Sequence, residues 1–201
     1  MALSAVFLLT ALTSVTGCVA KVYTPLALSQ PEAIVAALPK TDLRVGFYME
    51  PAAKNFAIDE YWIHLKVGEA VDAKVDEYFP KMFKTIRHLK NFPPPTGSVD
   101  DLDLLITVDY ADGRIQNTAR FAWSTSLSTK FNVYTPDHKV IRTMREDSKA
   151  NFFMGSLNPM DNMNVAYETA DVVSSEVVLN FLREFPLPEI SEAVRMYRQT
   201  L

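Results

Sequence analysis

Ala119-Arg120-Phe121-Ala122-Trp123-Ser124-Thr125-Ser126-Leu127-Ser128-Thr129-Lys130-Phe131-Asn132-Val133 is the stretch that decides the fold. Ala119, Phe121, Trp123, Leu127, Phe131 and Val133 share one parity, while Arg120, Ser124, Ser126, Ser128 and Lys130 share the other. A period of two residues is the signature of a strand, and a polar row facing an apolar row is that of an antiparallel sheet covered on one side. The spacing therefore predicts a long strand with its apolar side on a core.

The neighbouring segments extend that sheet. Leu102 to Tyr110 reads as a strand before it, and the Asp112-Gly113 dipeptide predicts a hairpin turn between the two. Thr135 to Lys139 predicts a second turn, with Val140 to Glu146 returning as a hairpin partner. Nearer the N-terminus, Leu43 to Met49 alternates like a strand, Pro51 to Asp59 reads as a loop, and Tyr61 to Val67 reads as a short extended segment. Thr85 to Leu89 reads as another short strand, and Pro93-Pro94-Pro95-Thr96-Gly97-Ser98 as a loop.

Two segments carry the helical period. Val67, Val71, Val75, Tyr78, Phe79, Met82 and Phe83 recur at spacings of three and four, with Pro80 close to the end of the run. Ala166, Ala170, Val173, Val177 and Phe181 line one face of a second helix, with Asp161 as its N-cap and Glu168, Asp171, Ser175 and Glu176 on the polar side. Shorter helices are expected from Pro31 to Leu38 and from Ile190 to Tyr197. The expected fold is α+β, an antiparallel sheet with two main amphipathic helices packed on one face.

The chain of 201 residues is 48% hydrophobic and 22% charged, with a net charge of −4. That composition provides for one real core. It argues against a general nucleic-acid binder, which needs a basic surface to meet phosphates. The only cysteine is Cys18, so an internal disulfide and multi-cysteine zinc sites are excluded.

The position of that cysteine is informative. An uncharged apolar run, Ala2 to Leu12, precedes Val15-Thr16-Gly17-Cys18, although no Lys or Arg stands before the run. These four residues resemble a bacterial lipobox, in which an aliphatic and two small residues precede a cysteine that is lipidated. The resemblance implies a signal peptide over 1–17 and thioether lipidation of Cys18. It further implies a lipidated N-terminus and tether over 18–41, and a single periplasmic domain over 42–201. The implied partner is a membrane, reached through the acyl anchor. Val19 stands where an inner-membrane retention signal would place Asp, which points to the outer membrane.

The order of elements in the folded part resembles small α+β periplasmic accessory lipoproteins of Gram-negative bacteria. The stretches that carry this are Val45-Gly46-Phe47-Tyr48, Leu65-Lys66-Val67-Gly68-Glu69-Ala70, Asp101 to Ile106, and Phe121-Ala122-Trp123. Such proteins act without catalysis, which implies a protein partner in the envelope. The surfaces expected to meet it are the sheet edge over 118–146, with Arg120 and Lys130, and the Phe152-Phe153 pair, read as a loop. A carrier of a lipid or other apolar ligand, and a hydrolase with an unrecognised site, are the alternative readings.

Other chemistry is weakly signalled. His64, His88 and His138 lack metal-ligand spacing, and no cofactor or metal is expected. Met144, Met154, Met160 and Met163 could bind copper(I) through thioethers, but adaptable packing explains them as well. Asp100, Asp101 and Asp103 read as solvated acids at a strand entry, and the Ser and Thr residues of 124–129 as a polar sheet face. No nucleophile elbow, zinc-protease helix or phosphate loop is present.

Overall fold

The computed structural model describes residues 31–60, 63–95, 97–119, 121–153 and 159–200. The leader read over 1–17, Cys18, the tether to residue 30, Tyr61, Trp62, Arg120 and Met154 lie outside the described residues.

The element order is α1 (Pro31–Ala37), β1 (Arg44–Met49), α2 (Pro51–Lys54), β2 (Ile58–Glu60), β3 (Ile63–Leu65), α3 (Val67–Met82), β4 (Thr85–His88), β5 (Leu104–Ala119), β6 (Ala122–Tyr134), β7 (Val140–Phe153), α4 (Pro159–Arg183) and α5 (Leu187–Arg198). The fold is α+β, but the main sheet is mixed. Its order is β4-β1-β5-β6-β7, and β1 runs parallel to both β4 and β5. The wholly antiparallel sheet expected from the sequence is corrected here. α3 supplies the crossover that returns the chain parallel to β1, which a short hairpin could not do. The segment read as a loop over 51–59 instead holds α2 and β2, and β2 pairs with β3 as a small separate ribbon.

The largest correction concerns the first hairpin. Asp112-Gly113 does not turn the chain; β5 runs through it to Ala119, and the strands close between Ala119 and Ala122. Phe121 there adopts a φ of 66°, so it leaves the apolar row and is exposed. Gly113 has a different use. A Cβ at that position would stand 2.7 Å from the Ser126 carbonyl oxygen and 3.0 Å from Ile58 Cδ1. Only glycine lets the β2 ribbon lie this close to β5.

α3 and α4 lie side by side on one face of the sheet, as expected. Val71, Val75 and Phe79 of α3 are fully buried, as are Val173, Val177 and Phe181 of α4. Phe181 stacks on Phe131 with ring centroids 4.3 Å apart and on Phe79 at 5.7 Å, and Phe79 meets Phe47 edge-on at 5.7 Å. Aromatic rings thus join sheet, α3 and α4 into one core. A smaller cluster of Val99, Leu102 and Leu105, with Phe92 and Tyr134, covers part of the sheet's other face. Pro80 falls in the last turn of α3, which ends at Met82. Asp161 lies inside the first turn of α4, two residues after the helix begins at Pro159.

Asp103 is buried rather than solvated. It accepts hydrogen bonds from the Arg44 backbone amide at 2.8 Å, from the Arg44 guanidinium at 3.2 Å and from Arg198. Burial pushes its carboxyl up, but the bonds from Arg44 and Arg198 outweigh this and hold it below the usual carboxylate range. The acid thereby fastens α5 to the start of the sheet.

Candidate interaction surface

Beyond the end of β1, strands β5, β6 and β7 continue together toward the Ala119–Ala122 closure. Their two faces differ. On the outer face stand Asp112 and Arg114 of β5, Ser126, Ser128 and Lys130 of β6, and Thr143, Arg145, Asp147, Lys149 and Asn151 of β7. These strands alone line an open trough of about 450 Å3, with Ser126 and Ser128 on its floor and Arg114, Arg145 and Lys149 on its walls. Arg145 donates to Ser128 Oγ at 2.8 Å and lies 3.5 Å from Asp147. Of the polar row read from the sequence, Ser126, Ser128 and Lys130 reach solvent on this face, whereas Ser124 is buried at 2% exposure.

Among the described residues no strand pairs with the far side of β7, which leaves this strand at the sheet edge over its 14 residues. The sequence reading ended the strand at Glu146. Its true length was legible in the parity of Met144, Ala150 and Phe152, all of which are buried. The polar members of that row, Glu146 and Ser148, hid it.

The proposed contact residues separate. Lys130 is half-exposed on the outer face, opposite Arg145, with its Nζ 3.9 Å from Asp109. Phe152 and Phe153 belong to the end of β7 rather than to a loop. Phe152 is 1% exposed and faces the core opposite Trp123, whereas Phe153 is 44% exposed opposite Ala122. Eight strand positions, roughly 25 Å, separate the register of Lys130 from Phe153. Among the described contact residues, Lys130 and Phe153 reach solvent and Phe152 does not.

Beneath the edge lies a layer that the sequence reading missed. Glu176 belongs to the buried side of α4, not to its polar side, and Glu146 and Ser148 of β7 point inward with it. Ser148 donates to Glu176 Oε2. Burial raises both carboxyls. It does so to about 7 at Glu146, aided by Glu184 and Asp147 and opposed by Arg183, while the Ser148 hydroxyl partly offsets it at Glu176. Thr125 and Thr129 of β6 are buried on the same inner face, opposite Ala150 and Glu146, and Ser174 is buried elsewhere on α4; the three hydroxyls have no hydrogen-bond partner among the described residues. The expectation that the Ser and Thr residues of 124–129 form a solvated polar face is thus corrected for Ser124, Thr125 and Thr129, which are all buried.

The remaining candidates are dispersed. His88 meets Asp76 at 2.6 Å, His64 meets Asp59, and His138 lies against the Phe92 ring. Met144 is buried near the start of β7, and Met160 is exposed at the start of α4, which follows the far end of that strand. Among the described residues no group of three or more His, Cys, Asp or Glu side chains could hold a metal ion.

No family model matches the chain, and no curated protein matches its sequence. Solved structures give distant likenesses. A DUF330 family protein from Xanthomonas campestris is 11% identical with a TM-score of 0.44, covering 73% of this chain and 87% of that one. A minor lipoprotein from Acinetobacter baumannii is 6% identical at 0.42, covering 72% and 93%. Lipoprotein B from Nitrosomonas europaea is 7% identical at 0.43, covering 76% and 90%. The last two bear lipoprotein names. Similarity at this level does not place two chains in one family.

Proposed function

We propose that this chain is a lipid-anchored, non-catalytic protein of a Gram-negative cell envelope that holds another envelope protein against its sheet. The address rests on Val15-Thr16-Gly17-Cys18. The binding role rests on one observation, the polar outer face of β5, β6 and β7. No described element covers the trough between Arg114 and Lys149, whose lining comes only from the three strands. A strand face with alternating Arg, Asp and Lys suits a polar, exchangeable protein contact more than an apolar cargo. Phe47, Phe79, Phe131 and Phe181 fill the space between sheet and helices where a carried lipid would lie.

The test compares the full-length chain with Cys18→Ala in a Gram-negative bacterium, following palmitate incorporation and membrane fractionation. Wild type is expected to label and to sediment with membranes, and Cys18→Ala to do neither. Two unlabelled, soluble proteins would overturn the anchor. For the contact, a photo-cross-linking residue at Arg114 is expected to give one discrete adduct with an envelope protein, and no adduct would overturn the binding role.

A further inference from the structure

The edge of β7 carries its own recognition pattern. Outward-facing residues run Thr143, Arg145, Asp147, Lys149, Asn151 and Phe153, and inward-facing ones Met144, Glu146, Ser148, Ala150 and Phe152. Edge strands commonly bear charges that repel a second strand. Whether these charges repel depends on register, because antiparallel pairing reverses the order of one copy.

The possible antiparallel registers of β7 on itself can be compared directly. Placing Asp147 opposite Asp147 of a second copy also sets each Arg145 against a Lys149, three like-charge pairs in all. Placing Arg145 opposite Asp147 sets Glu146 against Glu146 on the inner face. Placing Lys149 opposite Lys149 is again repulsive. With Ser148 opposite Ser148, each Asp147 faces a Lys149 and each Arg145 faces an Asn151. On the inner face of that register Glu146 meets Ala150, and Met144 meets Phe152. Among the registers that use most of the strand, this one pairs opposite charges and opposes no like ones. Cross-strand neighbours stand about 4.5–5.5 Å apart, where such pairs act.

We infer that the β7 edge docks a second copy of this chain, antiparallel and two-fold symmetric about Ser148, so that two five-stranded sheets become one. The contact is isologous and closes on itself, which limits the assembly to a dimer. It also joins the two outer faces, and with them the two troughs, into one continuous polar surface.

The test uses the full-length protein with two differently tagged copies expressed together, one Asp147→Cys and the other Lys149→Cys. The cross-strand Cα separation of about 5 Å falls within disulfide reach. Oxidation is expected to give the mixed dimer and neither homodimer above the background of wild-type copies, which keep Cys18. Homodimers of Asp147→Cys or of Lys149→Cys would overturn the register, and the absence of any dimer would overturn the pairing. Charge reversal gives an independent reading by sedimentation in detergent. Asp147→Lys is expected to halve the particle mass, and adding Lys149→Asp in the same chain to restore it. A wild type that sediments as a monomer, or joins only to a different protein, would overturn the inference. The pairing needs no lipid, so failure of palmitate labelling would leave it standing.

Discussion

Phe131 and Thr129 stand two positions apart on the same face of β6, and each is fully buried. Phe131 belongs to a dry aromatic cluster with Phe181, Phe79 and Phe47. Thr129 sits opposite Glu146, at the head of a polar layer that includes Ser148, Glu176 and Thr125. One sheet and one helix, α4, therefore enclose two different interiors. The aromatic half lies where β1 and α3 add further apolar surface. The polar half lies toward the free edge, where β7 has no further strand beyond it. The contrast teaches that burial and apolar character are separate properties of this chain. The aromatic half holds the fold together, while the polar half accepts a stability cost next to the surface proposed for binding.

The largest effect is expected in the aromatic half. Phe181 touches Phe79, Phe131 and Phe185, and is 0% exposed. Phe181→Ala removes a ring at the junction of sheet, α3 and α4, and is expected to cost about 3–5 kcal/mol of unfolding free energy. Chemical denaturation checks it. A loss below about 1 kcal/mol would show that the rings are not the support of the fold.

The polar half should respond in the opposite direction. The Glu146 carboxyl is raised from an ordinary value of 4.5 to about 7, first by burial and then by Glu184 and Asp147. Between those two values the folded chain keeps a proton that the unfolded chain has released. Stability is then fullest at the acidic end of this window and falls as pH rises through about 7. Glu176, raised in the same direction, adds to the slope, whereas Asp103, lowered, acts only in more acidic solution. Glu146→Gln is expected to flatten the slope between pH 5 and pH 8, a range set by the linkage relation, and to raise stability at its upper end by about 2–3 kcal/mol. Denaturation midpoints across that range check it, and an unchanged slope would remove Glu146 as the source.

The two halves were also unequally legible in the sequence. α3, α4 and the inner row of β6 followed from spacing alone, because Val, Leu and Phe recur where the geometry needs them. The mixed sheet did not follow. Whether β1 meets β5 parallel or antiparallel depends on the path through residues 50–103, and no local pattern records that path. Asp112-Gly113 misled for a physical reason. The dipeptide favours turns, yet Gly113 is required by the close approach of Ile58. The candidate surface was half legible. The Ser126, Ser128 and Lys130 row was visible, but β7 beyond Glu146 was hidden because its buried row contains Glu146 and Ser148. A Glu on the inside of a strand looks the same in sequence as a Glu on the outside. Only α4, crossing above it, decides which it is.

The smallest effect isolates the hydroxyls of the polar half from its charges. Thr129 Oγ1 is buried with no partner among the described residues, and Val has nearly the same shape. A buried hydroxyl left unbonded costs about 1–3 kcal/mol of desolvation, so Thr129→Val is expected to stabilise the fold, by about 1 kcal/mol. The gain should be independent of pH, unlike that of Glu146→Gln. The double variant then separates two cases. Additive gains would mean that hydroxyl and carboxyl are separate costs within one polar layer. A gain at Thr129 that disappears once Glu146 is Gln would mean that the two cross-strand neighbours form one coupled unit, with the penalty set by the pair.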